Sequence, residues 1–250
     1  MMKYKELIWT SIESIKTKLL LLPVGSIEQH GLCLPFGVDC YLAEAICNHV
    51  SSYLDAIVGP VIPYGARSIP NSGGGDSFPG TISIRGTILI EYYEDILYQY
   101  LKAGFVEIIF LNAHWENETY LIEAVERIKD RGLLNGKKIM VVSWWSVLER
   151  DTLCELIPDF PGWKFEHAGR TEYALMQYYY PELVEISINY ASIDLMINPD
   201  IYTYPVNPQI CGNYGSLSSS EGITSEVGKE LACYIEKNLV RTIKDFIKND

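Results

Sequence analysis

The chain is short of basic residues, has few histidines and lacks the common nucleotide and serine-hydrolase signatures. Each gap removes a class of function. Lys and Arg number 20 against 32 Asp and Glu, a formal net charge of −12, and nowhere do the basic residues gather into a face that would grip a phosphate backbone. Nucleic acid is therefore not expected as a partner. No apolar run approaches the roughly 18 residues needed to span a bilayer. The opening MMKYKELIWT carries scattered charges with no long apolar stretch behind it, unlike a secretory signal. A cytoplasmic location without a membrane partner is expected. The cysteines, Cys33, Cys40, Cys47, Cys154, Cys211 and Cys233, include no C-x-x-C pair, which argues against a zinc ribbon. Without a secretory signal they are expected to be reduced packing residues. G-x-x-x-x-G-K-[ST], G-x-G-x-x-G and G-x-S-x-G are all absent, so neither a phosphate-binding loop nor a serine nucleophile on an elbow is indicated.

What is present suits one α/β domain over residues 1–250: the chain is 48% hydrophobic and can bury a large core. The run LLLLPV (19–24) before Gly25 reads as a buried parallel strand. Asp39 is placed to N-cap a helix through about Tyr53, with Leu42, Ala45, Ile46 and Val50 along one side. A second strand is expected in AIVGPVIPYG (56–65), a third in FVEIIFLN (105–112) and a fourth in KKIMVVSWW (137–145). Helices are expected at about 87–103, over 116–130, from near Arg170, and over about 224–247, with loops over 63–80 and about 158–169 and irregular chain over 188–220. Alternating strands and helices predict a three-layer α/β/α architecture around a mostly parallel sheet, whose ligands bind beyond the carboxyl ends of the strands.

The residues able to do chemistry fall at those ends. Glu28 and His30 follow the first strand, with Asp39 nine residues on, and His114 and Glu116 follow the third. Two imidazoles and three carboxylates exceed what one catalytic zinc takes, which is three protein ligands and a water. They suit two metal ions sharing a bridging carboxylate, for which Asp39 is the natural choice. The competing view is that each is a polar residue hydrogen-bonded in its own loop. In GWKFEHAGRTEYALM (162–176), His167 is a candidate general acid/base and Glu166 a candidate to orient it or a water. The bland alternative there is a helix start, with Thr171 and Glu172 as ordinary first-turn residues. His49, inside a helix, is assigned to structure. Trp115, Trp144, Trp145 and Trp163 are packing residues by default, but they lie beside the histidines, where a flat ring can stack. The glycine-rich NSGGGDSFPG (71–80) lets backbone approach a small ligand.

Together the segments LPVGSIEQHG…LPFGVD (22–39), SGGGDSFPGTISI (72–84), LNAHWEN (111–117), GWKFEHAG (162–169) and GSLSS (215–219) resemble the creatininase family of metal-dependent amidohydrolases, in the family's order. Within the family, the glycine-rich segment resembles the branch that opens creatinine to creatine. The resemblance implies that Glu28, Asp39 and His114 hold one divalent ion, and that His30, the bridging Asp39 and Glu116 hold a second, the ions being Zn or Mn. It implies that His167 shuttles protons, that Glu116 and Glu166 assist catalysis, and that Ser72, Trp115, Trp145, Trp163 and His167 line the substrate pocket, Trp163 on a mobile flap. It further implies reversible hydrolysis of a cyclic amide by a hydroxide between the two metals, a homo-oligomer and commonly a hexamer. A formamide deformylase, a peptide-trimming enzyme, a sugar-derived-ring hydrolase and a silent binding module are the alternatives. Three positions depart from the family pattern: Ala113 in Asn112-Ala113-His114, Trp115 where Tyr is frequent, and Ala168 where glycine is expected after His167.

Overall fold

The leucine run forms β2 (Leu20–Val24), the middle strand of the sheet, and its alternation decides the layering. In the computed structural model, which describes residues 1–69, 71–72, 75–185, 200–205 and 214–248, β2 is flanked by β3 (Ile57–Val58) and β4 (Glu107–Asn112). β1 (Met2–Lys3) and β5 (Lys138–Ser143) complete the order β1-β3-β2-β4-β5, and every strand pair is parallel. Leu20, Leu22 and Val24 point to one face, where they join Ile57, Ile108 and Phe110. There they meet Leu89 and Leu97 of α3 (Gly86–Lys102) and Leu121 and Ile128 of α4 (Asn117–Asp130). Leu19 and Leu21 point to the other face with Val58, Ile109, Leu111 and Val142. That face is covered by α2 (Val38–Leu54), α6 (Arg170–Tyr179) and α7 (Ser225–Lys248). A strand apolar on both sides is what a sheet covered on both faces requires. Each fully buried leucine contributes about 1.5–3 kcal/mol relative to exposure.

The expected architecture is the observed one, with local corrections. The strand expected over 56–65 has only two ladder residues, because Gly59, Pro60 and Pro63 interrupt it; proline has no N–H to give a ladder. The fourth strand stops at Ser143, and Trp144–Val147 winds into a 3-10 turn. Asp39 is not an N-cap: Gly37 caps α2 and Asp39 is its second helical residue, buried. β1, α1 (Ile12–Ile15) and α5 (Arg150–Leu156) carry too little periodicity to be read from sequence. Most of the segment expected to be irregular, 186–199 and 206–213, lies outside the described residues, as does Cys211; residues 200–205 and 214–220 contain no helix or strand.

The topology creates one crevice. The chain leaves β2 through α2 toward β3, then returns through α3 to β4 on the opposite side of β2. The connections therefore diverge between the carboxyl ends of β2 and β4, the place where sheets of this kind bind ligands.

Candidate metal centre and active-site pocket

Both ligand-bearing loops open from that crevice. Gly25 follows β2, and a Cβ on it would lie 2.6 Å from the Cys40 nitrogen and 2.8 Å from the Asp39 carbonyl carbon. Only glycine lets the first turn of α2 close on the strand end and bring Asp39 beside Glu28 and His30. At the end of β4, the Asn112 side chain brackets the next turn: Oδ1 accepts the His114 N–H (3.1 Å) and Nδ2 donates to the His114 carbonyl (2.7 Å). Asn117 ties the loops together, accepting the Ala66 N–H (2.8 Å) and donating to the Gly25 carbonyl (3.0 Å).

Backbone carbonyls fix which imidazole nitrogen faces the centre. His30 Nδ1 lies 3.1 Å from the Glu28 carbonyl and must carry the hydrogen, because a carbonyl only accepts. His30 Nε2 is left with a lone pair 3.2 Å from Asp39 Oδ1 and 3.8 Å from Glu172 Oε2. Likewise His114 Nε2 donates to the Ala66 carbonyl (3.0 Å). His114 Nδ1 then faces Glu28 Oε1 at 2.9 Å and Asp39 Oδ2 at 3.2 Å. Seating a ligating histidine through its second nitrogen is the usual device of metal sites.

Lone pairs confronting one another at such distances need positive charge between them. His30 Nε2 and Asp39 Oδ2 are buried without a hydrogen-bond partner. Two of the groups whose ligand atoms converge are Glu28, Asp39 and His114, and His30, Asp39 and Glu172, with Asp39 common to both. Burial works against charge on both histidines and is overridden: His30 is held well above the usual histidine range by Asp39 and Glu172, and His114 by Glu28 and Glu116. Burial would raise the carboxyls of Glu28 and Asp39, yet the surrounding imidazoles hold both below the carboxylate range. Oxygen and imidazole donors of this kind suit Zn or Mn, and the residues present fit a divalent metal.

Glu116 is not where the sequence reading put it. It stands on the outer side of His114, with Oε2 3.3 Å from Nε2, the nitrogen already given to Ala66. Its carboxylate accepts the Ile69 N–H (3.0 Å) and a hydrogen bond from Ser72, and burial raises its pKa. The place beside His30 and Asp39 belongs to Glu172, which the sequence reading took for a first-turn residue. An acid at a helix start is already accounted for by the helix dipole, so nothing in the local pattern set it apart. Its position is set by the Ala168 N–H, which donates to Glu172 Oε2 (2.7 Å). Ala168 adopts φ +51°, the left-handed conformation that glycine, expected at this position, takes freely.

Glu166 serves helix α6. Oε1 accepts the Thr171 N–H (2.5 Å) and hydroxyl (2.9 Å), and Oε2 accepts the Ser218 hydroxyl (3.1 Å). Burial pushes its carboxyl up to about 7. Both oxygens are thus engaged away from the role of orienting His167. His167 itself is buried at the edge of the centre, Nδ1 3.8 Å from Glu28 Oε1 and its ring 4.6 Å from that of His30.

Above these residues lies a cavity of about 70 Å³. Glu28, Asp39, His114, Glu116, Glu172 and His167 line its floor, and Ser72, Trp115, Trp145 and Trp163 its walls. Trp115 stacks on Trp145 (5.5 Å, 20°), Trp145 lies 6.4 Å from Trp163, and buried Trp144 packs edge-on against Trp145 and Trp163. Glu28, Asp39, His114, Glu116, Glu166, His167, Ser72, Trp115, Trp145 and Trp163 border this cavity, and His30 lies beside Asp39. Asn71, Lys164 and Tyr202 join the lining; Asn71 and Lys164 lie inside the segments NSGGGDSFPG and GWKFEHAG without having been singled out there.

A buried two-lobed cluster of carboxylates and imidazoles at the switch point of an all-parallel sheet defines a metal-dependent hydrolase centre. The family model described as creatinine amidohydrolase matches residues 5–243, and the chain belongs to the creatininase family. It is 31% identical over 234 residues to the creatinine amidohydrolase of Pseudomonas putida, covering 90% of this chain and 89% of that protein. It is 36% identical over 123 residues, 46% of each chain, to a mycofactocin precursor peptide peptidase of Mycolicibacterium smegmatis. Among solved structures, a creatininase Mn form superposes with TM-score 0.89 at 30% identity, and a Zn-Zn mutant creatininase with TM-score 0.89 at 29%. Each covers 97% of both chains.

Proposed function

We propose that this protein opens a cyclic amide, with creatinine and water going reversibly to creatine, at a centre holding two divalent ions. Glu28, Asp39 and His114 hold one ion, and His30, Asp39 and Glu172 the other, Asp39 being shared. Zn and Mn are the candidates, as in the solved relatives. Ions held there lower the pKa of a water and polarise the substrate carbonyl. His167, whose Nδ1 faces Glu28, moves the proton: water's hydroxyl goes to the carbonyl carbon, the ring C–N bond breaks, and the proton goes to the leaving nitrogen. Glu116, with its raised pKa and its contacts to Ile69 and Ser72, assists that transfer from the opposite wall. Trp115, Trp145 and Trp163 supply flat faces for a planar ring and exclude water. Glu166 anchors α6, and with it Glu172.

The observation that carries the reading is the aromatic wall directly above the buried ligand cluster. The cavity supports it, since its tryptophan walls offer flat apolar faces that suit a small planar ring. The similarity to a precursor peptide peptidase over 46% of the chain supports a second reading, in which the same centre cleaves a short peptide. We further propose that residues 1–250 act as one domain in the cytoplasm, as a homo-oligomer, a hexamer by analogy with the family. Among the described residues no helix is long and apolar enough to cross a membrane, and Cys33, Cys40, Cys47, Cys154 and Cys233 form no disulfide with one another. The test is to load the chain with Zn or Mn, incubate it with creatinine and assay creatine, then run the reverse reaction. Creatine formation supports the reading. Full metal content with no creatine, and cleavage of a short peptide instead, overturns it in favour of the second.

A further inference from the structure

Three consecutive residues far from the metal ligands in sequence reach the pocket from a segment with no helix or strand. Asp200 forms an ion pair with Lys164, the Ile201 carbonyl accepts a hydrogen bond from Asn71 Nδ2 (2.8 Å), and Tyr202 lines the cavity. Asn71 and Lys164 line the same cavity from two different loops, Asn71 beside Ser72 and Lys164 beside Trp163. The segment therefore joins those loops. Tyr202 is 51% exposed and still borders the cavity, which puts it at the mouth and not at the floor.

The two ties differ in strength. Asn71 is buried, and the backbone around it is fixed: the Ser72 N–H donates to the Ile69 carbonyl (3.0 Å), and the Ile69 N–H to Glu116 Oε1 (3.0 Å). A buried hydrogen bond is costly to break. The Lys164 and Asp200 side chains are 48% and 67% exposed. An ion pair so open to water is weak and is screened by salt. The segment thus has a fixed end at Asn71 and a releasable end at Lys164.

We propose that Asp200–Tyr202 is a strap across the pocket mouth, hinged on Asn71 and latched by Lys164, and that it makes Tyr202 the outer wall that holds a substrate over the centre. Releasing the latch admits the substrate, and remaking it closes the mouth behind. The proposal rests on this pocket being the substrate site and adds what closes it. Tyr202 offers contact area that serves substrate and transition state alike, so its loss should be read in KM and not in kcat.

The experiment uses the full metal-loaded chain carrying Trp9→Phe, because Trp9 is 86% exposed and would dominate the fluorescence. Acrylamide quenching of the remaining tryptophans reports how open the pocket is, and creatinine is the kinetic probe. Asp200→Lys and Lys164→Asp each set like charges against one another at the latch. Each should raise quenching and raise KM by up to about fivefold, the scale of an exposed ion pair. The reversed pair, Lys164→Asp with Asp200→Lys, should return both readings to the parent's. Tyr202→Ala should raise KM by at least about 10-fold, the lower end of what one apolar pocket contact contributes, with kcat nearly unchanged. Parent-like quenching in both single variants overturns the strap. Single variants that shift while the reversed pair does not recover overturn the latch, because Lys164 or Asp200 would then act alone. Parent KM in Tyr202→Ala overturns the wall. Quenching needs no turnover, so a chain that leaves creatinine intact would strike the proposed substrate while the charge reversal still decides the strap.

Discussion

Asn117 offers the most quantitative check on how the site is held together. It is fully buried at the first turn of α4, and its amide links three loops: the one after β2, the one carrying Ala66, and its own. Asn117→Ala strands the Ala66 N–H and the Gly25 carbonyl without their side-chain partner. An unsatisfied buried polar group costs roughly 1–3 kcal/mol, so the loss of two is about 2–6 kcal/mol. For a chain of this size, about 2–4 °C of melting temperature accompanies each kcal/mol, giving a fall of about 4–24 °C. Asn117→Asp keeps the acceptor for Ala66 and loses the donor to Gly25, so its fall should be smaller. The measurement is thermal unfolding of the metal-free chain, which separates the hydrogen bonds from stabilisation by bound ions. The Ala66 carbonyl also seats His114, so metal affinity in Asn117→Ala should drop by about 10- to 100-fold. An Asn117→Ala chain melting within about 2 °C of the parent would refute the idea that this residue ties the loops.

Glu172→Gln should leave about one ion per chain, whereas Glu116→Gln should keep the parent's metal content and lose turnover; elemental analysis beside the creatine assay separates them, and the opposite pattern would restore Glu116 as ligand. His167→Asn should keep metal and fold while lowering turnover by about 10² to 10⁴, the usual scale for a general acid/base; metal loss would make it a ligand, and full activity a structural residue. Trp163→Ala should damage turnover of creatinine with metal content unchanged, because the ring offers a stacking face and no ligand atom. Parent-like kinetics in that variant would reduce Trp163 to packing.

The fold was legible in the sequence wherever one pattern had one explanation. The four leucines before Gly25 could only be a strand buried on both faces, and the placing of Glu28, His30, His114 and Glu116 after such strands brought them to one crevice. Asp39 was located but its reason was not: the cap belongs to Gly37, and Asp39 points inward because Gly25 lets the helix start close on β2. Glu172 was hidden by a rival explanation, since a helix's first turn favours an acid whether or not an ion is near. The choice between Glu116 and Glu172 depends on which nitrogen of His114 the Ala66 carbonyl takes, a contact 48 residues away in the chain that no local spacing reveals.

The central claim is a shared carboxylate joining two half-sites, and metal stoichiometry tests it most directly. After reloading with Mn or Zn and removal of excess, elemental analysis of the parent should give close to two divalent ions per chain, and Asp39→Ala should retain neither. One ion or none in the reloaded parent, or two in Asp39→Ala, would contradict the account.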